Sequence, residues 1–296
     1  MKTKNYLFLL AVVLFTSSQV FAQLTILSGP KQASYFQFVE DISKVLNGEV
    51  VNQGSSGAAF NYSQLVDPKS PYKIAMMQSD YLYYAQMVDS RNNTNKSNSL
   101  KVIIPLANEE IHLVTKKARN INKLQDLDSL IVAIGTKDQG TYATANVIKD
   151  RSRVTWKSRN IHFVEALNEL MMDRVNAFMI VGSAPIEKLN INPQAMVEEI
   201  SLVELTDFND WAKYYDNDTI YAKDYKWLDK DVPTFAVRTV LIVNEAKLTD
   251  ADKTAITKMV NGIKNNYDVL KAEGHPKWKE IDFDDWSDSD WPKIDF

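Results

Sequence analysis

The residues that could do chemistry in this chain cluster at a few turns. Six of its nine glycines (Gly29, Gly54, Gly57, Gly135, Gly140 and Gly182) follow short apolar runs and stand at or before predicted helix starts. Hydroxyl residues accompany them: Ser28, Ser34, Ser55, Ser56, Thr136, Thr141 and Ser183. In an open parallel sheet, ligands bind beyond the carboxyl ends of the strands. Helix N-termini there present N–H groups and a positive dipole end, which suits an anion. Glycine also lets a ligand approach the backbone. Any one such turn needs glycine for conformation alone, but the set as a whole points to a ligand cleft.

Other chemistry finds little support. The chain has no cysteine, which excludes thiol catalysis, disulfides and thiolate metal sites. His112, His162 and His275 are too scattered for a histidine metal site. The patterns G-x-x-x-x-G-K-[ST], G-x-G-x-x-G, G-x-S-x-G and H-E-x-x-H are missing. Glu109-Glu110 and Glu198-Glu199 are adjacent pairs, so on a strand they point to opposite faces, and a solvated position is expected for them. His112, between Ile111 and Leu113, reads as a hydrogen-bonded structural histidine. Arg238 is a lone charge in an apolar run; it faces solvent or enters the cleft as a carboxylate partner. Lys31 and Lys137 lie in cleft-edge loops, where solvated lysines are the default and steering of an anion is the alternative. The stretch Asp282 to Asp290 has spaced aspartates but lacks the glycine and terminal glutamate of a calcium loop, with Lys293 where the glutamate belongs. A binding protein without metal, cofactor or catalytic residues is therefore expected, not an enzyme.

These turns need a scaffold, and the periodicity supplies one. Leu24–Leu27, Glu49–Asn52 and Lys73–Met77 read as strands. Between and after them come helical stretches: one capped by Ser34 with Tyr35, Phe38, Ile42, Val45 and Leu46 on one face, then Phe60–Val66 and Tyr81–Val88. Lys101–Leu106 and Ile111–Thr115 follow as two strands. The pattern then restarts with strands at Leu130–Ile134 and Ala177–Val181 and helices at Thr141–Lys149 and Phe163–Val175. Phe235–Asn244 is the longest strand-like run, and Thr249 with Asp252 forms a capping box before a final long helix. Repeated β-α-β units argue for parallel sheet flanked by helices.

The 296 residues are about twice a usual domain, so two lobes are expected. An apolar fraction of 45% excludes a disordered chain. Residues 1–22 read as a cleaved secretory signal: Lys2 and Lys4, an apolar run from Tyr6 to Phe15, then Val20-Phe21-Ala22. That run is too short for a membrane span, and no lipid-attachment cysteine follows it. Losing two lysines takes the net charge from −4 to −6, a poor balance for nucleic-acid binding. A soluble, untethered, monomeric periplasmic protein is the expectation.

At these loops the chain resembles the TAXI family of solute receptors from TRAP-type transporters. The resemblance runs from about Leu24 to Leu270, on LTILSGPKQASYF, Ser55 to Tyr62 (SSGAAFNY), Gln78 to Ala85 (QSDYLYYA), Leu106 to Val114 (LANEEIHLV), Leu124 to Leu127, Val132 to Thr141 (VAIGTKDQGT) and Asn176 to Pro185 (NAFMIVGSAP). It implies the type II periplasmic binding-protein fold, two α/β lobes each with a mostly parallel sheet flanked by helices. Lobe I would hold residues 23–117 and 236–272, lobe II 118–235, and an acidic Trp-rich tail 273–296. It further implies a small organic anion or amino acid between the lobes, delivered to the permease subunits of a TRAP-type transporter. First-lobe contacts would be Tyr35, Ser55, Ser56, Gly57, Asn61, Gln78 and Asp80. Second-lobe contacts would be Gly140, Thr141, Tyr142, Gly182 and Pro185. The chain departs from the family at Pro30 to Gln32, Ala58 and Gln139, and the tail looks like an addition, which leaves open a sensor or interaction role on the same fold.

Overall fold

A computed structural model describes residues 23–189, 199–287 and 290–295. The expected signal segment and Glu198 lie outside the described residues. Three parallel strands begin the chain: β1 (Leu24–Leu27), β2 (Val50–Gln53) and β3 (Ile74–Gln78). Helices α1 (Ser34–Val45), α2 (Ala58–Val66) and α3 (Ser79–Asn92) alternate with them. Ser34 does not cap α1. It is the first helical residue, and Ala33 takes the cap position without a side-chain bond.

Two long strands organise the rest. β4 spans Leu100–Lys116 without a break, where two strands were expected. The polar run Asn108-Glu109-Glu110 looks like a loop in sequence. Its backbone instead pairs antiparallel with Arg238, Val237 and Ala236 in the strand Val232–Asn244. The second half supplies β5 (Ile131–Ala133), α4 (Gly140–Ser152), β6 (Lys157–Arg159), α5 (Phe163–Met171) and β7 (Ala177–Gly182). β8 (Ile200–Leu202) and β9 (Asp216–Ile220) precede β10 (Val232–Asn244). The main path across the sheet is β2-β1-β3-β10-β4-β7-β5-β6, with β8 on β4 and β9 on β10.

The β4–β10 pair lies in the middle of the sheet, between β3 and β7. Register shifts in β10, between Arg238 and Val240 and between Leu241 and Ile242, mark the crossing. Such bulges bend and twist a strand locally. Apolar clusters cover both faces of each half. In lobe I, α1 packs with α6 (Asp250–Asn265) and α7 (Tyr267–Glu273) on one face, and α2 and α3 on the other. In lobe II, α4 lies on one face and α5 on the other. The expected Thr249–Asp252 capping box is present.

The Trp-rich tail is part of this core. Trp278 is fully buried, packs edge-on against Phe38 at 5.0 Å between ring centres and donates Nε1–H to Asp41 at 2.9 Å. Trp291 donates to the Leu100 carbonyl at 2.8 Å. Val102 donates to Pro292 and accepts from Ile294, so the tail continues the sheet along β4 where β7 does not reach.

Candidate functional site

The site forms where β3, β4 and α3 of the first lobe meet α4 of the second. β3 runs into α3 with no connecting loop, so Gln78 ends the strand and Asp80 sits in the first helical turn. Asp80 is completely buried. Its Oδ2 accepts from the Tyr215 hydroxyl at 3.0 Å, a contact from lobe II to lobe I. Burial pushes its carboxyl up to about 6, against the hydroxyls of Thr144 and Tyr215 that favour the charge.

Glu109 lies beside it. Tyr35, on the first turn of α1, donates its hydroxyl to Glu109 Oε2 at 3.3 Å. Burial pushes Glu109 up to about 7, while Tyr35 and Gln78 stabilise its charge and the nearby acids Glu110 and Asp80 oppose it. The Tyr35 hydroxyl is itself held well above its usual range, first by burial and then by Glu109 and Asp80. Glu110 emerges on the other face of β4. Lys277 of the tail reaches it at 2.6 Å, and the Ala184 amide donates to its other oxygen at 2.8 Å. Behind Glu110, His112 accepts at Nε2 from the Tyr225 hydroxyl at 2.8 Å, and its Nδ1 lies 2.9 Å from the Glu110 carbonyl. Burial holds this imidazole down at about 4, so it stays neutral as a structural strut.

The glutamate pair is therefore not solvated. It points to opposite faces as a strand requires, but both faces of β4 are covered, so both carboxylates are buried. Lys277, Tyr215 and Asn108 are further members that sequence patterns missed.

The two helix starts do face each other. Gly57 takes φ +120° at the N-cap of α2, and its position abuts the Asp138 carbonyl just ahead of α4. A Cβ on Gly140 would collide with the Gln78 carboxamide, so glycine is required for this approach. Other expected site residues have structural partners. Ser55 Oγ accepts from the Gly57 amide, and Ser56 is exposed. Asn61 is buried and donates to the carbonyls of Ser28 and Met76 at 2.8 Å, tying α2 to β1 and β3. Thr141 Oγ1 accepts from the Val181 amide at 3.1 Å. Tyr142 meets Tyr84 of α3 edge-on at 5.9 Å. Gly182 ends β7 opposite Glu110, and the exposed Pro185 follows a cis bond in the same loop.

The expected cations are elsewhere. Arg238 is held by Asp216 at 2.5 Å and Asp285 at 2.8 Å, and Lys31 and Lys137 are exposed. Two buried acceptors near Glu109, Gln78 Oε1 and Asp80 Oδ1, have no hydrogen-bond partner, and a third, Asn108 Oδ1, lies on the opposite face of β4 with Glu110. Among the described residues no trio of His, Cys, Asp or Glu converges as a metal site.

A family model for the NMT1-like family matches residues 26–290. The chain belongs to the NMT1-like family. Solved structures share its fold at low identity. YhfZ from Shigella flexneri is 13% identical, with a TM-score of 0.51 over 87% of this chain and 94% of that one. An ABC uptake transporter substrate-binding protein from Streptococcus pneumoniae with bound histidine is 14% identical, with a TM-score of 0.50 over 88% and 93%. An ancestral arginine-binding protein bound to arginine is 15% identical, with a TM-score of 0.50 over 85% and 97%. This NMT1-like chain thus has the two-lobed α/β fold of periplasmic solute-binding proteins, as the sequence led one to expect.

Proposed function

We propose that the protein is an extracytoplasmic solute receptor that closes its two lobes on a small amino acid or organic acid. One arrangement supports this above all: the starts of α2 and α4 approach each other across the lobe junction, with Gln78 against Gly140 and with Tyr35, Gln78 and Asp80 gathered around Glu109. Closure would come from bending of β4 and β10 at their bulged crossing. The bound histidine and arginine of the similar structures are in keeping with such a role. The ordered TAXI-like motifs support a TRAP-type permease as the partner, and the secretory signal supports a periplasmic location. The receptor is a binding protein and not an enzyme. The tail gives a sensor role little support, because Trp278 and Trp291 are buried in the body of the protein.

Purified protein should carry a small solute in native mass spectrometry or be stabilised by one in a metabolite thermal-shift screen. A ligand that binds only the native state at a hundred times its Kd adds about 2.7 kcal/mol. A broad screen without any shift, together with a ligand-free mass, would overturn the receptor reading.

A further inference from the structure

We infer that the solute enters the lobe junction with a cationic group, an ammonium or guanidinium, held by Gln78 and Asp80 and countered by Glu109. This deepens the receptor reading and rests on it. The helix starts suggested an anion, but the side chains that line the junction say otherwise. Gln78 is 3% exposed and its Oε1 accepts no bond; Asp80 is 0% exposed and its Oδ1 accepts none. Native interiors rarely leave such groups orphaned, and each costs free energy until a donor arrives.

The charge balance agrees. Asp80 and Glu109 are buried acids whose near partners are neutral: the Tyr215 and Thr144 hydroxyls for Asp80, and the Tyr35 hydroxyl and Gln78 amide for Glu109. The nearest-placed cations are committed: Lys277 to Glu110 and Glu280, and Arg238 to Asp216 and Asp285. A bare anion would have to share this space with two carboxylates and would leave both acceptors unsatisfied. An ammonium has three donors and a guanidinium five, enough for both acceptors. The same donors on an amino acid leave its carboxylate for the helix starts.

The test uses the mature chain with defined probes: putrescine, agmatine, L-arginine, succinate, and magnesium or calcium chloride, each at millimolar concentration, by thermal shift and calorimetry. At least one of the three cationic organic probes should stabilise the protein, while succinate should not. Asp80→Asn and Glu109→Gln should each weaken that binding at least about tenfold, the loss of one charge-assisted contact. Circular dichroism checks their folding; if Asp80→Asn misfolds, Glu109→Gln alone decides. Stabilisation by succinate and not by the amines overturns the cationic assignment while leaving a receptor. Stabilisation by the metal salts alone overturns it in favour of a metal ion. No response to any probe overturns it too, and if the metabolite screen is also silent the receptor reading falls with it.

Discussion

At the residue scale, the lobe junction is governed by two buried acids. Asp80 is pushed up to about 6 and Glu109 to about 7, mainly by burial. Asp80 faces Tyr215 and Thr144, and Glu109 faces Tyr35, Gln78, Glu110 and Asp80. A carboxyl whose folded pKa is raised binds protons that the unfolded chain has lost, so its contribution is full below about pH 4. The contribution fades as pH rises through the folded values. Unliganded protein should therefore lose stability between about pH 4 and 7, at up to about 1.4 kcal/mol per pH unit for each group. Chemical denaturation across this range should show a shallower slope for Asp80→Asn and Glu109→Gln. Slopes equal to that of the parent chain would refute a role for these acids.

At the scale of elements, the tail binds the protein across its middle. Helix α1 receives Trp278 through Phe38 and Asp41, while Lys277 continues to Glu110 at the strand crossing. Burial works against the charge of Lys277, but Glu110 and Glu280 raise its pKa overall. Removing one partner of a buried ion pair leaves an uncompensated charge. Lys277→Met should cost about 3–5 kcal/mol. Adding Glu110→Gln should recover a large part of that loss, because the stranded charge is gone. A double-mutant cycle by urea unfolding measures it, and strict additivity would show that the pair is not coupled. Trp278→Ala should cost about 3–5 kcal/mol through lost transfer energy and a cavity.

At the scale of the whole molecule, the proposed closure would bear on contacts made by aromatic and charged side chains and by one glycine. α3 meets α4 through Tyr84 and Tyr142, through Arg91 and Asp150, and through Gln78 against Gly140. Tyr83 stacks on Tyr214 at 3.6 Å between ring centres. Gly140→Ala suits a helix start, so each lobe should still fold. The added methyl group meets the buried Gln78 amide, and overpacking of this kind costs about 1–3 kcal/mol. Small-angle scattering should show a more open molecule with weaker solute stabilisation. An unchanged radius of gyration would mean that Gln78 yields instead.

Much of the fold was legible in order along the chain. Strand–helix alternation is set by local periodicity, so β1 to α3 and the α6 capping box could be read directly. So could Gly57, whose left-handed φ of +120° at a helix cap is a local demand, whereas Gly140 is fixed by Gln78, a residue distant in sequence. What the sequence could not reveal was polarity in three dimensions. Asn108 to Glu110 looks solvent-exposed on its own, yet pairing with β10 and cover on both faces bury it. Arg238 looks available to a ligand, yet Asp216 and Asp285 come from distant segments to neutralise it. The sequence by itself determined the helices, the strands and the turns, because those follow from neighbouring residues. Only the tertiary structure decided the charge of the junction, because burial and ion pairing depend on which distant segments meet there.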